Sequence, residues 1–218
     1  MKTKDKILNS ALELFNERGV EQVTTLLISK ELGISLGNVH YHYPNRNAVI
    51  ESLINRFLQD MDALSKRLIQ QQPTDFFHQA IRTQFFTFKE MWKYRFLFSD
   101  RLVIARRTTY LEDLFKAMVD QRRKDFDASI EMLKENGIIR LDVNQKAIDA
   151  HFQQLVIWNN SWISFCDLFL SEEEPYIFFA EQSIWTWQSL YNLPDEVIEK
   201  HVQTVKEEMG SMEEGFLP

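Results

Sequence analysis

The stretch TTLLISKELGISLGNVHYHY, residues 24–43, decides the fold. Thr24 and Thr25 are N-cap residue types, so a short helix is expected from there through Leu32. Gly33 stops it, because a residue without a Cβ accepts the left-handed conformation that a tight turn needs. Ser35 is the expected cap of a second short helix running to about His42. Ile28, Leu32, Ile34 and Val39 are spaced to pack into one small core, which leaves the second helix protruding with polar residues on its outer face. A helix presented that way fits the major groove of B-DNA.

Upstream, Ile7, Leu8, Ala11, Leu12 and Phe15 form the apolar stripe of a first helix, closed by Arg18-Gly19. Its Leu12 and Phe15 complete the small core. Downstream, Pro44 breaks the chain and Asn45 is the expected cap of a long helix. That helix carries Val49, Ile50, Leu53, Ile54, Phe57, Met61, Leu64 and Leu68 on one face and is expected to end near Gln71-Gln72-Pro73. Four more long helices are expected at about 74–93, 108–136, 144–170 and 174–191. A short element lies around 95–104, and an amphipathic stretch runs from Asp195 to about Met209. Punctuation comes from Asn136-Gly137, from Asp142 as a cap, and from Pro175 and Pro194. The segment GIIRLDV (137–143) comes nearest to a strand, but its brevity and its place after a helix read as a connector. The fold class is therefore all-α: a three-helix helix-turn-helix head, residues 1–46, joined by a linking helix to a larger helical body within 47–218.

Composition narrows the function. The chain has 218 residues, 44% of them hydrophobic, which is ample for a buried core. Six Gly and five Pro argue against a loop-rich β-sandwich or a Pro-rich linker protein. A single cysteine, Cys166, excludes an intrachain disulfide framework and any CxxC metal or redox site. The start MKTKDKILNS has no apolar run after its lysines, so it does not read as a secretory signal. The most apolar stretch, LVIWNNSWISFCDLFL (155–170), is interrupted by two Asn, two Ser and an Asp, too polar for a membrane span. The expected compartment is the cytoplasm. Charge is uneven: of 25 Lys+Arg and 32 Asp+Glu, residues 1–50 hold six basic and five acidic, leaving 19 and 27 for the rest. A polyanion would meet the N-terminal end first.

The run from Lys4 to Ile54 resembles the N-terminal domain of the TetR family of bacterial transcriptional regulators. The residues that carry the likeness are ALELF…ERG at the end of the first helix, the Thr pair, and the turn ISKELGISLG. Tyr41-His42-Tyr43 followed by Pro44-Asn45-Arg46 completes it. The resemblance implies that Thr25 caps the second helix and touches a phosphate. It implies that Leu36, Gly37, Asn38, His40 and Tyr41 face DNA, and that His42 and Arg46 hold flanking phosphates. The chemistry agrees: Asn can pair bidentately with adenine, and Tyr and His can donate to phosphate. Leu26 and Leu36 depart from the family pattern, which often places basic or polar side chains there. Leucine can touch a thymine methyl, which points to A·T-rich half-sites.

The body is rich in aromatics. Only Phe15, Tyr41, Tyr43 and Phe57 precede residue 58, out of 17 Phe, six Tyr and five Trp. Trp158, Trp162, Phe165 and Phe169 recur at helical spacing and make one stripe. Aromatic stripes commonly serve packing. The resemblance adds a homodimer interface on the last long helices and an effector cavity, with Trp92, Phe96, Trp158 and Trp162 as candidate lining for a small hydrophobic or aromatic effector. Arg95, Arg101, Arg106 and Arg107 are candidates to meet an anionic head group. No cofactor is expected: no phosphate loop, HExxH, dinucleotide fingerprint or serine-centred elbow occurs, and His40-x-His42 points to two helix faces rather than one metal. The reading is a ligand-responsive, homodimeric repressor on a palindromic operator. The alternatives are a helical ligand-binding or adaptor protein without DNA affinity, and an all-α enzyme.

Overall fold

The computed structural model describes residues 2–70, 75–106, 109–169 and 174–213. Its elements are α1 (Thr3–Gln22), α2 (Thr25–Glu31), α3 (Leu36–His42), α4 (Arg46–Gln70), α5 (Phe76–Lys93), α6 (Phe96–Ser99), α7 (Arg101–Ala105), α8 (Thr109–Glu135), α9 (Gln145–Phe169), α10 (Pro175–Trp185) and α11 (Asp195–Glu213), with a 3-10 turn at Gln188–Leu190. The described residues contain no strand beyond one isolated bridge between Ile139 and Tyr191. The all-α reading holds. The expected end of the long helix at Gln71-Gln72-Pro73 lies outside the described residues, as does Arg107.

Packing divides the chain into two units, Met1–Asp62 with Lys93–Ala117, and Ala63–Trp92 with Met118–Pro218. In the first unit, Ile7, Ala11, Val20, Ile28, Val39, Val49, Ile50 and Leu53 have no exposure to solvent, and Phe15 stacks on Phe96 with centroids 5.1 Å apart. Leu32 and Ile34 are only half-buried. Gly19 takes φ 74° and ψ 159°, a conformation open essentially to glycine, and interrupts α1 as its Arg-Gly signature requires. Asparagines tie α1 to α4 and to the segment around α6. Asn9 Oδ1 accepts from Arg56 Nη1 (2.6 Å), Asn16 Nδ2 donates to the Lys93 carbonyl (2.9 Å), and Asn16 Oδ1 accepts from Phe96 N (3.1 Å). Arg56 Nε also donates to Tyr94 Oη, which donates to Asp60 (2.6 Å). Burial, and then this bond to Asp60, push the Tyr94 phenol up to about 12.

In the second unit, Arg123 bridges Asp127 (2.8 Å) and Asp149 (2.7 Å) and lies over the Phe152 ring, joining α8 to α9. Arg82 and His78 of α5 both meet Glu208 of α11. Three expected boundaries move. Asn144, not Asp142, caps α9, its Oδ1 accepting from Ala147 N at 2.9 Å. The helix expected over 174–191 stops at Trp185, because the chain beyond it turns to pair with the 138–140 connector: Arg140 N donates to the Leu190 carbonyl and Asn192 N to the Ile138 carbonyl. The cap of α2 is Thr24, whose side chain accepts from Leu27 N; Thr25 is the first helical residue. Among the described residues no helix is long and apolar enough to cross a membrane.

Candidate nucleic-acid interface

The interface is built on α2 and α3. Leu32 and Gly33 form the turn between them, with Gly33 at φ 64°. Ser35 Oγ accepts from Asn38 N at 3.2 Å and starts α3. Val39 is wholly buried and anchors the helix to the head core. The residues around it turn outward: Gly37, Asn38 and His40 are exposed, and Tyr41 is 85% exposed, unusual for so large an aromatic group. Leu36 and His42 are half-buried. The Tyr41 and His42 rings meet edge to face at 5.1 Å. Helix α3 thus offers a short row of exposed polar side chains, Asn38, His40 and Tyr41.

Thr25 and His40 come together. Thr25 Oγ1 and His40 Nε2 lie 3.0 Å apart and share a hydrogen bond across the two helices. This bond links the start of α2 to the exposed face of α3. Leu26, beside Thr25, is nearly half exposed. Tyr43, which ends α3, is buried under the Lys4 ammonium at 5.9 Å. Burial raises its phenol, and the Asp5 carboxylate adds to the rise.

Arg46 sits at the edge of this surface and is committed inward. Its Nη1 donates to the carbonyls of Val20 (2.9 Å), Glu21 (3.0 Å) and Val23 (3.3 Å). These carbonyls belong to the end of α1, where backbone acceptors lack intrahelical partners. Arg46 therefore locks α1 to the start of α4, a role its position after Pro44 does not reveal.

Of the four candidate effector-lining residues, the structure brings three into one cluster. Trp162 stacks on Phe88 (5.1 Å) and Trp92 (5.8 Å), and Phe179 packs against both Trp158 (5.6 Å) and Trp162 (5.4 Å). Phe96 lies in the first unit, buried against Phe15. Sequence reasoning missed Asn159, a buried amide between these tryptophans on α9. The signal was present as a polar residue inside the most apolar helix of the chain. Among the described residues no group of three or more His, Cys, Asp or Glu side chains is placed to hold a metal ion.

A positive-φ glycine turn between two short helices, the second anchored by Val39 and open on its polar face, makes the helix-turn-helix unit of DNA-binding proteins. Residues 7–53 match the model described as bacterial regulatory proteins, tetR family, and residues 56–177 match the model described as bacterial transcriptional repressor, TetR. The chain belongs to the TetR family and is a transcriptional regulator, not an enzyme. It is 23% identical over 174 residues to the HTH-type transcriptional regulator BetI of Vibrio campbellii, covering 71% of this chain and 87% of that one. It shares its fold with a TetR-family transcriptional regulator from Marinobacter aquaeolei, with TM-score 0.78, 24% identity, and 95% and 98% of the two chains covered. A second similar structure is a complex of SmeT with triclosan, with TM-score 0.57, 18% identity, and 88% and 92% covered.

Proposed function

We propose that the chain is a homodimeric, effector-responsive repressor that places α3 of each head in successive major grooves of a palindromic operator. The observation that carries this is the outer face of α3, where Asn38, His40 and an 85% exposed Tyr41 stand clear of a helix anchored by Val39. Asn38 reads an adenine edge, Leu36 meets a thymine methyl, and Gly37 lets the backbone approach. Tyr41, His42 and Thr25 hold phosphates. Arg46 flanks the phosphates and contributes mainly by fixing the head. Residues 1–46 are the DNA-binding domain and 47–218 the effector-binding and dimerisation domain. Function divides the chain at residue 46, whereas packing divides it at Asp62 and again at Trp92 and Ala117.

Dimerisation is supported by apolar side chains left open on α9 and α10: Ile157 (66% exposed), Phe165 (44%) and Phe178 (38%). A two-fold axis through this face would give an isologous interface. The effector is a small hydrophobic or aromatic molecule, taken up in the region of Trp92, Trp158 and Trp162. The similar SmeT structure was solved with triclosan, an aromatic compound, which supports that class. The protein acts in the cytoplasm, where its DNA lies.

Selection from a pool of random duplexes, repeated at several salt concentrations, tests the reading. It predicts enriched sites with dyad symmetry and an affinity that falls steeply with salt. A pool in which no sequence is enriched would leave a helical adaptor as the account of the chain.

A further inference from the structure

The 158–162 stretch of helix α9 holds three polar atoms that are out of place. The indole N–H groups of Trp158 and Trp162 and the amide oxygen of Asn159 are buried and have no hydrogen-bond partner among the described residues. Trp162 is 2% exposed and Asn159 6%. Buried polar atoms are almost always paired, and each exception calls for a reason. Here the exceptions are adjacent. Trp158 and Trp162 stand four residues apart and Asn159 and Trp162 three apart, spacings that put neighbours on one helix face. The rings around them, Phe88, Trp92 and Phe179, supply flat apolar surface.

We infer that this stretch of α9 is the recognition element for a neutral, planar aromatic effector that carries a hydrogen-bond acceptor beside a donor. The ligand's acceptor takes an indole N–H and its donor meets Asn159 Oδ1. The inference rests on the effector-responsive reading above and gives it a chemical class. Neutrality follows from the partners. Two indoles and an amide cannot compensate a buried charge, and burying one unpaired costs far more than burying a polar neutral group. Planarity follows from the ring surface. Trp92, its ring 5.8 Å from that of Trp162, and Trp158 are the partly exposed members of the cluster.

The same geometry implies a cost in the ligand-free protein, since unpaired buried groups destabilise the fold that holds them. Asn159→Leu, close in size and without polar atoms, removes one of them and so stabilises the free protein.

The test uses the full chain without DNA, so its result is independent of operator recognition. Three probes are titrated by tryptophan fluorescence and thermal shift: 2-quinolinone, which carries a carbonyl beside an N–H; naphthalene, which carries neither; and 2-naphthoate, which is anionic. The wild-type protein should bind 2-quinolinone at least about tenfold more tightly than either of the others. Trp162→Phe, which keeps the ring and loses the N–H, and Asn159→Leu should each remove most of that preference. Asn159→Leu should also raise the free protein's melting temperature, by about 2–4 °C. Absence of binding by 2-quinolinone, equal binding of all three probes, a preference that survives both substitutions, or a lower melting temperature for Asn159→Leu would each overturn the inference. If one of these results appears while selected duplexes still bind, the regulator reading stands and only the effector chemistry is wrong.

Discussion

The carboxylate of Asp100 accepts a hydrogen bond from the backbone N–H of Val20, 80 residues earlier in the chain. This amide follows the break at Gly19, where α1 leaves helical geometry. On the other side of the same residue, Arg46 takes the Val20 carbonyl. The end of α1 is thus held by a carboxylate at its donor, from the turn between α6 and α7, and a guanidinium at its acceptor, from the start of α4. The segment around α6 and α7 becomes part of the head unit through this contact and through Asn16.

Gly19 and Asp100 are expected to fail together. A Cβ at Gly19 would lie 3.2 Å from Asp100 Oδ2 and would force a side chain into backbone space at φ 74°. Gly19→Ala should cost about 1–3 kcal/mol, the usual penalty for such conformations. Asp100→Ala leaves the Val20 N–H unpaired and should cost about 1–3 kcal/mol. Urea unfolding of each variant, followed by circular dichroism, measures both, and the double variant should lose less than the two losses added together, because the residues touch.

Arg46→Ala should destabilise the head by about 1–3 kcal/mol, since three carbonyls lose a charged donor. Its DNA affinity should fall for all sequences alike. Chemical denaturation run beside a binding assay separates the two effects; unchanged stability would show that the inward contacts contribute nothing.

Asn38→Ala should leave stability within about 0.5 kcal/mol, because the side chain is exposed. It should relax sequence preference at one position in each half-site, by about 1–3 kcal/mol of discrimination. Parallel binding curves on an operator and its single-base variants read this out.

Acid should weaken the second unit. Burial holds the His151 imidazole below its ordinary value of 6.5, and the ring packs on Trp187 at 5.5 Å. The folded protein therefore binds this proton less readily than the unfolded chain does. Stability is complete above the unfolded value and is lost as pH falls below it, toward the depressed folded value. Melting temperatures recorded from pH 7.5 down to pH 5.5 should decline, and His151→Gln should flatten that decline.

Much of this was legible in the sequence, for reasons that are local. The head signals are backbone chemistry: a glycine where φ must be positive, Ser35 and Asn45 where helices start, and Val39 at the one inward position of α3. Such signals act within a few residues, so a linear reading finds them. The caps at Thr24 and Asn144 lie one or two residues from Thr25 and Asp142, neighbours of similar capping propensity that a linear reading does not separate. Asp100, Asn9 and Asn16 were illegible because their partners lie tens of residues away. Phe96 and Trp92, four residues apart, looked like one cluster; the break between α5 and α6 sends them to different units. Asn159 stood out as a polar interruption, but only the burial of its oxygen shows that the interruption faces inward.

The central claim is that the open face of α3 enters the major groove, and interference with 7-deazapurines tests it most directly. Selected operators are synthesised with each purine N7 replaced in turn by carbon, which alters only the major-groove edge. The account predicts lost binding at two symmetric clusters of positions, with centres roughly one helical turn, ~34–36 Å, or a multiple of it apart. Undiminished binding at every substituted position, with sensitivity confined to minor-groove changes, would contradict it.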